Sequence, residues 1–149
     1  MAFTGTHFRT LDDKSRLAIP KIYREGICAE GPSVTTMVIA PETEQALALY
    51  SESQFQRRAE EVRRCTRDSQ ELRTFLRLYF SQAESVEIDK QGRIRIPERL
   101  IRFAGLQQEV VLLGVNDRVE IWDRGRWETF MQTHSHSFDQ FAYSTSTNP

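Results

Sequence analysis

Two stretches of the chain place a carboxylate four residues ahead of a guanidinium: Asp12 precedes Arg16, and Asp89 precedes Arg93. Across a tight turn such a pair can meet as a carboxylate–guanidinium contact that orients the arginine fork. An oriented fork can read guanine O6 and N7 in the major groove, and lysines beside it can meet phosphates. Lys14 and Lys90 sit inside the two turns, and Arg9 lies just ahead of the first. Arg9, Lys14, Arg16, Lys90 and Arg93 are therefore the candidate DNA contacts, with Asp12 and Asp89 as the residues that hold the turns. The plainer alternative is that both pairs only close turns. Arg9, Lys21 and Lys14 concentrate charge near Arg16, which predicts a larger role for Arg16 than for Arg93. Around the second loop stand Lys90, Arg93, Arg95, Arg99 and Arg102, against Glu87, Asp89 and Glu98.

The elements that must position these residues come in two copies. Leu11-Asp12-Asp13-Lys14-Ser15-Arg16-Leu17-Ala18-Ile19-Pro20 returns as Ile88-Asp89-Lys90-Gln91-Gly92-Arg93-Ile94-Arg95-Ile96-Pro97, a repeat of 77 residues. A second echo follows each copy: Leu47-Ala48-Leu49-Tyr50 with Phe55, then Val119-Glu120-Ile121-Trp122 with Trp127. Arg16 to Ile19 and Arg93 to Ile96 alternate as short strands. Pro20 and Pro97 then suit the first turn of a helix, where a missing N–H costs nothing. Gly26 and Gly105 are the expected stops of those helices. Strands are expected over residues 34–40, 46–50, 110–113 and 119–122. Ser51 and Asp123 occupy N-cap positions.

Between the copies, Ser51-Glu52-Ser53-Gln54 is a capping-box pattern, followed by Phe55, Ala59 and Val62 at helical spacing. Asp68-Ser69-Gln70-Glu71 opens a second helix carrying Leu72, Phe75, Leu76, Tyr79, Phe80 and Ala83 on one stripe, with a joint near Arg67. The chain thus divides into a first repeat over residues 1–50, a helical linker pair over 51–84, a second repeat over 85–133 and a flexible polar tail over 134–149. One half is too short to bury much surface alone. The expectation is an α+β fold: one pseudo-twofold, barrel-like unit with a shared core and outer helices.

Charge and composition narrow the function. With 20 basic and 21 acidic residues the net charge is −1, so any DNA binding must come from local clustering. Seventeen of the basic residues are arginine, which a GC-rich coding sequence accounts for in large part. The linker arginines Arg57, Arg58, Arg63, Arg64, Arg67 and Arg73 share their helices with Glu60, Glu61 and Glu71 and read as a solvated, ion-paired face. Cys28 and Cys65 are isolated thiols that read as small core residues. Trp122 and Trp127 read as core or interface anchors. His134 and His136 lack a full ligand set, so neither a metal nor a cofactor is expected. The opening residues lack the pattern of a signal peptide, and no run approaches a membrane span. The expectation is a cytoplasmic protein with no membrane partner. No G-x-S-x-G, H-E-x-x-H or phosphate-binding loop is present, so no enzyme is expected.

The ordered set of motifs resembles the MraZ family across nearly the whole chain. It includes Phe3-Thr4-Gly5, the Asp-x-x-x-Arg loops each followed by a hydrophobic-x-Ile-Pro, Phe75-Leu76-Arg77-Leu78, Ala104-Gly105-Leu106, Glu109 to Gly114 and Glu120-Ile121-Trp122-Asp123. The resemblance implies an AbrB-like, swapped-hairpin fold with both halves in one chain. It also implies ring-like homo-oligomers, and regulation of transcription through double-stranded DNA, nucleoid-associated. The implied targets are direct repeats upstream of the division and cell-wall gene cluster, including the protein's own gene. An antitoxin-like interaction module of the same fold is the alternative, with an enzyme using the Asp/Arg motif a more distant one. The chain departs from the family pattern at Ala2, in its tail and at Ser15, where the family favours glycine and Gly92 keeps it. A turn that needs positive φ strains Ser15, which leaves open whether the first loop keeps the shape of the second.

Overall fold

The computed structural model describes residues 2–28, 35–64 and 68–147. The first half contributes β1 (Thr6–Thr10), β2 (Arg16–Ala18), α1 (Lys21–Ile27), β3 (Thr36–Pro41) and β4 (Leu47–Tyr50). The linker forms α2 (Glu52–Arg63) and α3 (Gln70–Gln82). The second half repeats the first as β5 (Glu84–Glu87), β6 (Arg93–Arg95), α4 (Glu98–Ala104), β7 (Glu109–Gly114) and β8 (Val119–Asp123). The chain continues through α5 (Arg124–His134), a 3-10 turn and α6 (Phe138–Thr147). The joint near Arg67, the thiol of Cys65 and Val34 lie outside the described residues. No helix among the described residues is long and apolar enough to cross a membrane.

The halves are not separate bodies. β1 of the first half pairs with β7 of the second, from Thr6 opposite Leu113 to Thr10 opposite Glu109. Reciprocally, β5 of the second half pairs with β3 of the first. β4 and β8 join the halves at the centre, giving one antiparallel sheet in the order β1-β7-β8-β4-β3-β5. That sheet is open, which corrects the expected barrel: β1 and β5 end its two edges and do not pair with each other. β2 and β6 form a separate two-stranded ribbon.

Alternation along the strands divides the apolar residues between two faces. Met37, Ile39, Leu47, Leu49, Val110, Leu112, Val119 and Ile121 meet Leu17, Ile19, Tyr23, Ile94, Ile96 and Leu100 in one core drawn from both halves. On the opposite face Val38, Ala40, Ala48 and Tyr50 lie against Phe55, Tyr79 and Phe80 of the linker. Val111, Leu113 and Trp122 lie against Trp127 and Phe130 of α5. A sheet covered on both faces explains why its central strands are apolar at nearly every position, with the buried Glu120 of β8 an exception.

The local signals are largely obeyed. The Ser51 hydroxyl accepts from the Gln54 amide at 3.1 Å while the Gln54 side chain accepts from the Ser51 amide at 2.9 Å, closing the capping box. Asp123 caps α5, and Gly105 ends α4 in the left-handed conformation. Three details differ. Pro20 and Pro97 sit one residue before the first helical turn, as N-caps. Gly26 lies inside α1, because the Cys28 amide still bonds to the Arg24 carbonyl at 2.8 Å and carries the turn past it. The polar tail is helical where an irregular segment is expected: hydroxyls of Ser144, Thr145 and Ser146 donate to carbonyls four residues back, which keeps polar side chains compatible with a helix. Phe138, Phe141 and Tyr143 remain exposed on it.

Candidate nucleic-acid interface

Asp12 is the hub of the first loop. Its Oδ1 accepts from the amides of Lys14 at 2.9 Å and Arg16 at 2.8 Å, and its Oδ2 accepts from Arg16 Nε at 2.7 Å. Asp89 does the same in the second loop, accepting from the amides of Gln91 and Arg93 and from Arg93 Nε, each at 2.9 Å. The hydrogen bond donated by the Arg16 amide, with further help from the Arg16 side chain and the Lys14 amide, holds the pKa of the Asp12 carboxyl at about 2, below its ordinary 3.8. Asp89 is lowered chiefly by the Arg93 amide. A depressed folded-state value stabilises the fold fully above the unfolded value and loses that contribution as pH falls. Acid unfolding of the native chain is therefore expected to steepen between about pH 4 and pH 2. Asp12→Asn should flatten that interval in a denaturant titration, and an unchanged profile would remove Asp12 from the account.

The loops have one shape. Ser15 has φ +61° and Gly92 φ +77°, so the serine does enter the left-handed region and the first loop is not reshaped. The reason lies between the halves. The Gly92 carbonyl accepts from the Ile19 amide and the Ser15 carbonyl from the Ile96 amide, both at 2.9 Å. Each left-handed residue thus aims its carbonyl at the opposite strand of the ribbon. A Cβ at Gly92 would come within 2.7 Å of the Arg24 guanidinium, whose Nε is engaged by the Ile19 carbonyl at 2.9 Å. By the repeat, the counterpart of Arg24 is Ile101, which has no guanidinium to place beside Ser15. Ser15→Gly is expected to stabilise the chain by about 1 kcal/mol, and Gly92→Ala to destabilise it by about 2 kcal/mol. Thermal unfolding should show the two shifts with opposite signs.

The ribbon carries the arginines. Arg16 lies opposite Arg95, Leu17 opposite Ile94 and Ala18 opposite Arg93. Leu17 and Ile94 are buried in the core, so Arg16, Ala18, Arg93 and Arg95 share the outer face. The structure thereby brings together Asp12, Lys14, Arg16, Asp89, Lys90 and Arg93. Arg9 stands apart on β1, donating to the Phe8 carbonyl at 2.8 Å, with no hydrogen bond or ion pair to either loop among the described residues. Arg93 also lies 3.8 Å from Asp12 and donates to the Gln91 side chain. No such contact is made by the terminal nitrogens of Arg16 among the described residues.

The other basic residues are mostly neutralised where they stand. Lys21 faces Glu25, Arg99 faces Glu84 and Arg102 faces Glu98. In the linker Arg58, Arg63 and Arg73 face Glu61, Glu60 and Asp68, as an ion-paired face requires. Trp122 is a core anchor whose Nε1 donates to Glu120 at 2.9 Å. The His134 ring packs 4.6 Å from Phe130, and no group of three or more candidate metal ligands occurs among the described residues.

Two like half-domains that exchange edge strands and set their Asp-x-x-x-Arg loops side by side define a duplicated α+β protein with one composite loop surface. The sequence profile of the family described as "MraZ protein, putative antitoxin-like" matches the chain twice, over residues 2–78 and 79–147. The chain belongs to the MraZ family. A protein of Parafrankia sp. (strain EAN1pec) is 38% identical over 140 residues, 94% of both chains. Proteins of Frankia alni and Acetivibrio thermocellus are 36% and 32% identical over the same share of both chains. All three are named "Transcriptional regulator MraZ".

Proposed function

We propose that this chain regulates transcription by binding double-stranded DNA through the β2–β6 ribbon and its two loops. The targets are direct repeats upstream of the division and cell-wall gene cluster and of its own gene. The observation that carries the reading is the pairing of two loops with the same aspartate-centred hydrogen bonds, each offering a carboxylate-oriented arginine on one outer face. A two-stranded ribbon fits the major groove. Asp12 and Asp89 hold the turns, Arg16 and Arg93 present their forks to base edges, and Lys14 and Lys90 meet phosphates. Arg9, set back on β1, is the most peripheral contact. The reciprocal pairing of β1 with β7 and β5 with β3 supports the swapped-hairpin arrangement. The protein acts as a closed homo-oligomer, a reading supported by Phe75 and Leu78, which α3 leaves exposed at 39% and 63%.

Band shifts on the upstream region over a salt series test this. Steep log–log loss of affinity is expected, with slope near −0.9 for each phosphate neutralised. A flat series, or equal affinity for scrambled repeats, would overturn the reading. Light scattering tests the assembly, and a monomer mass at micromolar concentration would rule it out.

A further inference from the structure

We infer that Arg95 is a further DNA-contacting residue, and that it gives each protomer a fixed polarity on the duplex; this rests on the function proposed above.

The argument starts from charge. Arg16 and Arg93 are each tied through Nε to a loop aspartate. Arg95 shares their outer face but forms no ion pair among the described residues. Its Nε instead donates to the Lys14 carbonyl at 3.1 Å, reaching from the second half's strand to the first half's loop. That bond holds the stem in place while leaving the positive charge uncompensated. Arg95 also stands directly opposite Arg16 across the ribbon, and like charges facing each other on adjacent strands are unfavourable in isolation. A surface that keeps an uncompensated guanidinium in that position is complementary to an anion laid across both strands. The DNA backbone, with one charge per ~1.7 Å, supplies it.

Polarity follows from the repeat. The counterpart of Arg95 in the first half is Ala18. Both are exposed at the same place on their strands. The motif residues Asp12, Arg16, Asp89 and Arg93 obey the pseudo-twofold relation, and a fully symmetric ribbon would grip a site equally well in either direction. Arg95 without a mate at residue 18 breaks that equivalence. An array of sites repeated in one direction suits a reader of this kind better than an inverted pair does.

The test uses the full chain and a labelled duplex carrying the upstream repeats, with anisotropy measured over a salt series. Arg95→Gln, of similar shape and no charge, is expected to weaken binding about tenfold and to make the salt slope shallower by about one. Arg95→Lys, which keeps the charge, should retain most of the affinity. Hydroxyl-radical footprints of the native chain should protect each repeat unequally on its two sides, and Ala18→Arg should even out the protection. Native affinity and slope for Arg95→Gln, or equal losses for Gln and Lys with a lowered melting temperature, would overturn the inference and leave the motif loops as the DNA site. A native chain that binds no repeat duplex overturns both readings together.

Discussion

Replacing Arg16 and Arg93 together by alanine is expected to lower affinity for the upstream repeats by about a hundredfold or more, since each bidentate base contact is worth about 1–3 kcal/mol. In the closed oligomer proposed above, repetition of the loss deepens it. The same double variant should melt within about 3 °C of the native chain. The structure explains why folding is spared. Two of the three hydrogen bonds to each loop aspartate come from backbone amides, which the substitution leaves in place. Asp12→Ala and Asp89→Ala remove all three acceptor contacts of their loops and should lower the melting temperature as well as the affinity. Arg16→Ala should cost more affinity than Arg93→Ala. The sequence predicts that order from Arg9, Lys14 and Lys21; with Arg9 set apart and Lys21 paired to Glu25, it is Arg95, directly opposite, that crowds charge beside Arg16. The geometry adds a second reason: among the described residues the Arg93 fork is already engaged by Gln91 and Asp12, whereas the Arg16 fork is held only at Nε. Unfolding of the arginine variants alongside normal melting of the aspartate variants would reverse the assigned roles.

The largest effect on stability is expected at Arg118, in the turn between β7 and β8. Its guanidinium reaches Glu42 at 3.0 Å and Glu120 at 2.9 Å, two carboxylates only 9% exposed, and Asp117 at 2.9 Å. Glu42 belongs to the β3–β4 turn of the first half and Glu120 to β8 of the second, so one cation clasps both halves. Removing one partner of a buried ion pair leaves an uncompensated charge and costs about 3–5 kcal/mol. Arg118→Met should therefore lower stability by about that much in a denaturant titration at neutral pH. Adding Glu42→Gln and Glu120→Gln should recover a large part of the loss, because neutral amides are cheaper to bury than carboxylates. A loss under about 1 kcal/mol for the single variant would show that solvent reaches the cluster freely. Failure of the added changes to recover stability would place the effect in lost packing.

The sequence by itself determined the periodic and the local features of this protein. The 77-residue repeat shows in the order of residue types. The capping box at Ser51, the cap at Asp123 and the left-handed stop at Gly105 are legible because each depends on one or a few neighbouring side chains. The Asp12–Arg16 and Asp89–Arg93 contacts are legible for the same reason, since a four-residue turn brings its own ends together. The tertiary structure alone decided which strands meet. β1 and β5 carry no strong alternation and escape a reading by pattern; they become strands because the edge of the other half supplies their hydrogen-bond partners. The open sheet replaces the expected barrel because those two strands occupy opposite edges. The place of Arg95 is likewise set from 81 residues away, by the Lys14 carbonyl. Ser15 holds its left-handed conformation for a comparable reason: the Ile96 amide of the other half, which no local pattern announces, fixes the direction of its carbonyl.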